Sequence, residues 1–280
     1  MSPLQSRSST AIIAAIEANL SVLWRSYSRL PGAELWDQPD LFWVATDIPF
    51  PPFNGVLRAR LRPQTIAPTI TTTLQHFARR HVPMLWLVGP STQPSDLGAH
   101  LMALGLTHLA DDPGMAIDLE ALPTDLPVPT GFTSEVIDDL GALRTWCGFT
   151  DQAVVAEALF AWGQTLGFAP DREIVHFLGR LDGRPVATAT LVLGEEAAGL
   201  YNVMTVPDAQ RRGVGALMSV RPLELARARG YRLGILQASK QGYTLYRRLG
   251  FQDYCRIAIY LWSAEASSAE NAIPDLHQGH

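Results

Sequence analysis

Seven residues, Gln210-Arg211-Arg212-Gly213-Val214-Gly215-Ala216, restrict this chain more than any others because of what stands on either side of them. Before them, Gly199-Leu200-Tyr201-Asn202-Val203-Met204-Thr205-Val206 is an apolar, β-branched and aromatic run stopped by Pro207 and Asp208, which predicts a buried strand. After them, Val214, Leu217, Met218 and Leu225 recur at helical spacing until Gly230. Strand, basic glycine turn and helix together suit an anion. Glycine lets the backbone approach a ligand closely, and the first N–H groups of a helix have no partner inside it. The helix dipole and the side chains of Arg211 and Arg212 add positive potential, so the stretch predicts a pyrophosphate cradle.

Two common cradles do not fit. A P-loop needs Gly-Lys-Ser/Thr at the helix start, whereas Gly215 is followed by Ala216 and Leu217. A dinucleotide fingerprint needs a third glycine, and Met218 stands in its place. The pattern Gln210-x-x-Gly213-x-Gly215 is instead the acetyl-CoA signature of the GNAT superfamily of N-acetyltransferases, which this segment resembles. A second motif follows at the distance found there: Leu236-Gln237-Ala238-Ser239-Lys240-Gln241-Gly242-Tyr243-Thr244-Leu245-Tyr246-Arg247-Arg248-Leu249-Gly250-Phe251 looks like the superfamily's strand, helix and Leu-Tyr-x-x-x-Gly-Phe ending.

The resemblance implies acetyl-CoA as co-substrate and acetyl transfer to a primary amine of a small molecule or protein, with no metal. It implies that strand residues Val203, Met204, Thr205 and Val206 splay from the strand at Leu233 to Ala238 so that pantetheine lies in the gap, with a bulge near Val203 freeing an N–H for the thioester oxygen. Gln210, Arg211, Arg212, Gly213, Val214, Gly215 and Ala216 would hold the pyrophosphate, and Ser239, Gly242 and Tyr243 would border the cofactor. Tyr246 matches the family tyrosine that protonates the departing sulfur. Ser239 stands where many members carry asparagine, which puts that contact in question. Asn202 cannot serve as general base; Glu173, Asp151 and Glu157 are acids near the expected pocket, and a water chain is an equal candidate. A silent acyl-CoA-binding or interaction protein is the alternative reading.

The N-terminal half repeats the plan. Leu41 to Thr46 and Phe53 to Leu61 read as strands around a proline turn, Ile70, Leu74, Phe77 and Ala78 mark a helix, and Met84 to Val88 is a buried strand. Leu97 to Leu106 gives a short helix, and Ala116 to Leu119 a closing strand. The corner Leu104-Gly105-Leu106 mirrors Leu249-Gly250-Phe251, and Ala116-Ile117-x-Leu119 mirrors Ala258-Ile259-x-Leu261, which indicates an internal duplication. Between Leu61 and Ile70 the first copy has prolines but no paired glycines, and Leu101 matches Tyr246, so it resembles a degenerate copy without a cofactor site. The expected fold is α/β (α+β): two mixed, mostly antiparallel twisted sheets flanked by helices. The expected ranges are 1–122 for the degenerate domain, 123–131 for a proline-rich linker, 132–263 for the acetyltransferase domain and 264–280 for a polar tail.

Composition agrees with this plan. With 280 residues, 47% hydrophobic and 18% charged, the chain can bury a real core. Its net charge of -5 gives no electrostatic reason to expect nucleic acid or a membrane surface. Ala11 to Ile16 is too short an apolar patch for a signal peptide, and a cytoplasmic protein with two reduced thiols, Cys147 and Cys255, is expected. Asp182-Gly183 between two apolar runs predicts a hairpin. His176 reads as a satisfied strand histidine rather than a metal ligand, the aromatics of residues 138–168 as core, and His277 and His280 as part of the tail. Pro222 falls inside the helix that begins at Gly213, where it must kink it or remove a hydrogen bond.

Overall fold

The computed structural model describes residues 7–264. The chain runs α1 (Ser9–Tyr27), β1 (Glu34–Asp37), β2 (Leu41–Ala45), β3 (Gly55–Ala59), α2 (Ile66–Arg79), β4 (Met84–Val88), α3 (Leu97–Ala103) and β5 (Thr107–Asp118). It continues with β6 (Phe132–Val136), α4 (Leu140–Cys147), α5 (Ala153–Leu166), β7 (Ile174–Leu181), β8 (Arg184–Leu193) and β9 (Ala198–Thr205), and closes with α6 (Val214–Ala228), β10 (Leu233–Gln237), α7 (Tyr243–Leu249) and β11 (Gln252–Trp262). It divides into two compact units. Of the described residues, one, the cradle unit, takes 7–23 together with Gly114–Tyr254; its companion takes Trp24–Pro113 and 255–264.

The two units are built alike. In the cradle unit β5, β10, β9, β8, β7 and β6 pair in that order, all antiparallel except the β9–β10 pair. In the companion unit β1, β2, β3, β4 and β11 pair in order, all antiparallel except β3–β4. Each parallel pair is followed by a helix ended by a left-handed glycine. Gly250 has φ +100° and lets the Phe251 N–H reach the Tyr246 carbonyl at 3.0 Å; Gly105 has φ +92° and lets the Leu106 N–H reach the Leu101 carbonyl at 3.1 Å. Phe251 and Leu106 are both buried behind these caps, so each apolar-Gly-apolar corner of the sequence is a helix stop that also anchors the core. The duplication is therefore present in the backbone as well as in the residue pattern.

The boundaries differ from the ranges 1–122 and 132–263. Gly114 to Asp118 of β5 pair with Gln237 to Leu233 of β10 in the cradle unit, while Ala258 to Trp262 of β11 pair with Val88 to Met84 of β4 in the companion. Each copy's closing strand thus completes the sheet that the other copy began. The physical reason is that the two closing strands carry the same apolar pattern and the strands they join, β4 and β10, are equivalent buried strands, so the pairing rule that places one places the other as well. The sequence-based strand from Phe53 to Leu61 shortens because Pro51–Phe53 forms a 3-10 turn. Helix α1 replaces the bare apolar patch at Ala11 to Ile16, burying Ile12 and Ile16. Of the polar tail, residues 265–280, including His277 and His280, lie outside the described residues.

Local signals in the cradle unit follow the sequence. Asp182 and Gly183 adopt φ +51° and +80°, the paired left-handed conformations of a two-residue hairpin turn, and set the register of β7 on β8 from Leu181↔Arg184 upward. Helix α6 runs unbroken through Pro222, which is buried; the missing N–H leaves the Met218 carbonyl without its usual partner. The core gathers Val175, Phe177, Leu191, Leu200, Met218, Leu223, Leu236 and Phe251 beneath that helix. No helix among the described residues is long and apolar enough to cross a membrane.

Candidate active site

The site is organised by two strands that part company. β9 and β10 pair only at Ala198↔Gly234 and Gly199↔Ile235, although β9 continues to Thr205 and β10 to Gln237. Beyond Gly199 the facing backbone edges diverge, leaving donors and acceptors available to an extended ligand. On its other side β9 pairs with β8 at Tyr201↔Thr190 and Met204↔Thr188, with two residues between them against one, so Asn202 and Val203 together oppose Ala189. This is a β-bulge, which leaves one backbone N–H out of the ladder. Asn202 has φ +51°, a left-handed conformation that asparagine tolerates better than most residues. The bulge sits where the sequence reading put it, near Val203.

Past the bulge, Met204, Thr205 and Val206 are half-buried. The Val206 N–H is committed to the Val186 carbonyl at 2.9 Å, and Met204, two residues before it and in register with Thr188, faces β8 as well, so of this run Thr205 presents its N–H to the opposite edge. Gln210 turns its side chain back, Nε2 donating to the Thr205 carbonyl at 3.0 Å, and so ties strand to turn. Arg211 (φ +57°) and Gly213 (φ +86°) are both left-handed and curl the backbone into α6. The first helical hydrogen bond is Leu217 N–H to the Gly213 carbonyl at 3.1 Å, so the N–H groups of Val214, Gly215 and Ala216 precede the ladder. A Cβ on Gly215 would meet only Leu245 Cδ2 at 3.5 Å and Thr205 Oγ1 at 3.6 Å, so the turn is open above the helix start. With the exposed Arg211 and Arg212 beside it, this arrangement fits a pyrophosphate.

The second motif turns into α7 through Ser239, whose hydroxyl accepts the Gly242 N–H at 3.2 Å and whose carbonyl accepts the Tyr243 N–H at 3.0 Å. Ser239 therefore shapes the turn, and Tyr243 donates its hydroxyl to Asp253 at 3.0 Å. Gly242 is required by packing: a Cβ there would lie 2.7 Å from Tyr246 Cε2. Tyr246 is only 9% exposed and lies edge-on to Phe251, ring centres 5.8 Å apart. Beside its phenol stands Ser219 of α6, whose hydroxyl donates to the Gly215 carbonyl at 2.8 Å. Burial pushes its phenol up to about 12, so it holds its proton at neutral pH. The structure sets Tyr246 beside Ser219 of the cradle helix, a neighbour that sequence reasoning missed.

His176, Trp146 and Trp162 form core, whereas Phe149 and Phe160 are half-buried. His176 is buried between Trp146 and Trp162, with ring centres at 4.3 and 5.0 Å, and burial followed by the Arg172 charge pushes its imidazole down to about 3. Its Nδ1 lies 3.0 Å from Thr190 Oγ1. Among the acids considered as a base, Glu157 is ion-paired with Arg144 at 2.6 Å, while Asp151 and Glu173 are exposed. No group of three or more His, Cys, Asp or Glu able to hold a metal occurs among the described residues. Sequence reasoning also missed Asn19 of α1. Its Nδ2 donates to the carbonyls of Val192 (3.0 Å) and Ala197 (2.9 Å), and its Oδ1 accepts from the Tyr201 hydroxyl (2.9 Å), pinning β9 just before the bulge.

The companion unit has an equivalent gap and closes it. β3 and β4 pair only at Gly55↔Leu85 and Val56↔Trp86. Beyond them Gln93 folds back beside Arg60, its N–H donating to the Ala59 carbonyl at 2.9 Å and its carbonyl accepting the Leu61 N–H at 2.8 Å. A strand-like piece of the chain's own backbone occupies the edge that stays open in the cradle unit.

Comparison with known proteins adds a family. Residues 172–253 match the family described as acetyltransferase (GNAT) domain. No curated protein matches the chain. Among solved structures, a GCN5-related N-acetyltransferase from Kribbella flavida is similar at 19% identity with a TM-score of 0.66, the match covering 87% of this chain and 94% of that one. A functionally unknown conserved protein from Staphylococcus epidermidis ATCC 12228 is similar at 12% identity and a TM-score of 0.63, over 84% of this chain and 95% of the other. A tandem GNAT protein from the clavulanic acid biosynthesis pathway is 16% identical with a TM-score of 0.59, over 86% and 87% of the two chains. At these identities the likeness is one of fold, and it extends over both units.

Proposed function

Residues 172–253 form an acetyltransferase domain of the GNAT family, and on that premise we propose that the chain transfers an acetyl group from acetyl-CoA to a primary amine of a small molecule or protein. The observation that carries the reading is the coincidence of three features on neighbouring elements: the end of β9–β10 pairing at Gly199↔Ile235, the bulge at Asn202-Val203, and a buried, protonated Tyr246 on α7, the helix that follows β10. Acetyl-CoA, when bound, supplies a thioester carbonyl open to attack by a neutral amine. The N–H groups of Val214, Gly215 and Ala216 and the guanidinium groups of Arg211 and Arg212 hold its pyrophosphate. The open edges of Thr205 and Gln237 receive its amides as they would an added strand. The N–H released by the bulge donates to the carbonyl oxygen, where negative charge develops. As the carbon–nitrogen bond forms and the carbon–sulfur bond breaks, Tyr246 donates its proton to the departing sulfur, and the proton lost by the amine nitrogen restores the phenol.

One observation favours a second reading, a silent acyl-CoA-binding protein: Tyr246 is buried, with only 9% of its surface exposed. Two measurements separate the readings. Thermal unfolding with and without acetyl-CoA tests the cradle, and thiol release from acetyl-CoA with a panel of polyamines, aminoglycosides, amino acids and peptide N-termini tests turnover. Tyr246→Phe, which keeps the ring packed on Phe251, is expected to slow turnover on the order of 100-fold with acetyl-CoA binding unchanged. Binding without turnover on any amine would establish the silent reading, and no thermal shift at millimolar acetyl-CoA would refute both.

A further inference from the structure

We infer that His176 is a positioning residue: acting through Thr190, it holds Asn202 in the left-handed conformation that opens the bulge on β9. The inference rests on reading that bulge as the place that meets the thioester oxygen. The linkage crosses three strands in register. His176 on β7 stands opposite Thr190 on β8, with Nδ1 and Oγ1 3.0 Å apart. Thr190 stands opposite Tyr201 on β9, and the next residue, Asn202, donates its Nδ2 to Thr190 Oγ1 at 3.3 Å. Two residues before it on β8, Thr188 donates its hydroxyl to the Asn202 carbonyl at 2.9 Å. Asn202 is exposed, yet two buried threonines grip its side chain and its backbone.

Thr190 Oγ1 accepts from Asn202, which leaves its own hydrogen free for His176 Nδ1; we assign that direction, with the imidazole proton on Nε2. That nitrogen is buried with no hydrogen-bond partner among the described residues, and Trp146 and Trp162 confine the ring. A position needed only for packing would be filled better by an apolar ring, because burying a polar nitrogen without a partner costs free energy. What the imidazole provides and an apolar ring lacks is an acceptor for the Thr190 hydroxyl. With that acceptor in place, Thr190 keeps a lone pair directed to Asn202.

The bulge N–H can bond only to a ligand that has the thioester oxygen, so the test compares acetyl-CoA with free CoA by calorimetry and needs no acceptor. Thr190→Val, which removes the hydroxyl and keeps the shape, is expected to weaken acetyl-CoA binding by about five- to tenfold, the worth of one hydrogen bond, with CoA binding unchanged within twofold. Thr190→Ser restores the preference. His176→Asn, which retains a polar atom near the Nδ1 position, stays close to the native ratio, whereas His176→Gln behaves like Thr190→Val. Asn202→Gly, free to adopt the positive φ without a brace, makes the ratio insensitive to Thr190→Val, and this double variant guards against simple misfolding. An acetyl-CoA to CoA ratio unchanged in Thr190→Val, or a loss in that variant that Asn202→Gly does not rescue, overturns the inference while leaving the acetyltransferase reading intact. A native protein that binds neither ligand overturns both.

Discussion

Gly213 and Gly215 look interchangeable in the sequence and are not so in the structure, which makes them a sharp test of the cradle. Gly213 has φ +86°, and a Cβ added there would approach nothing nearer than the Pro127 carbonyl at 3.6 Å. Its requirement is conformational, and Gly213→Ala is expected to cost about 1–2 kcal/mol, the left-handed penalty of an L-residue. For a domain of this size that lowers the melting temperature by roughly 2–4 °C per kcal/mol. Gly215 has ordinary helical φ and ordinary contacts for a Cβ, at 3.5 Å from Leu245 and 3.6 Å from Thr205. Gly215→Ala is expected to leave stability unchanged or raise it by up to about 1 kcal/mol, since glycine is a poor helix residue. Gly215→Leu extends a branched side chain over the free N–H groups and should abolish the acetyl-CoA effect. The assay is scanning calorimetry with and without acetyl-CoA, where ligand at about 100 times its dissociation constant stabilises by roughly 2.7 kcal/mol. A Gly213→Ala protein as stable as the native one, or a Gly215→Leu protein that keeps the full ligand shift, would refute the reasoning.

Two further outcomes follow from buried polar groups. His176 is held down to about 3 against an ordinary value near 6.5, so its stabilisation is complete above pH 6.5 and is lost as pH falls towards 3, by about 1.4 kcal/mol per pH unit. Urea unfolding between pH 7 and 4 should therefore fall less steeply for His176→Asn than for the native chain, and parallel curves would contradict the assignment. Asn19→Ala removes a buried amide from the carbonyls of Val192 and Ala197 and from the Tyr201 hydroxyl. It is expected to cost about 2–4 kcal/mol, measured as a lower denaturant midpoint with an unchanged slope; a loss under 1 kcal/mol would mean that these groups find other partners.

What was legible in the sequence is what a few adjacent residues decide. The hairpin at Asp182-Gly183, the helix stops at Gly105 and Gly250, and the strand, turn and helix around Gly213 each depend on a positive φ that names its own residue. The mid-strand Asn202 was a usable sign of the bulge, since an asparagine in an apolar β-branched run fits a left-handed residue better than a ladder position. The partnership of the closing strands was hidden because Ala116-Ile117-x-Leu119 and Ala258-Ile259-x-Leu261 have the same pattern, and pattern sets the buried face but not which of two equivalent strands lies alongside. Asn19 with Tyr201 and His176 with Thr190 were invisible for another reason. The two pairs span 182 and 14 residues, and nothing local marks a polar residue as half of a distant bond.

The segment at Gln93 has a consequence for counting ligands. Its two backbone hydrogen bonds to Ala59 and Leu61 are individually modest, but the segment is tethered a few residues beyond β4, so it competes for that edge at an effective concentration in the millimolar range. A soluble ligand with the same extended backbone must displace a competitor that never diffuses away. Saturation of the protein is therefore reached at one equivalent per chain, with the occupied gap being the one that no peptide fills.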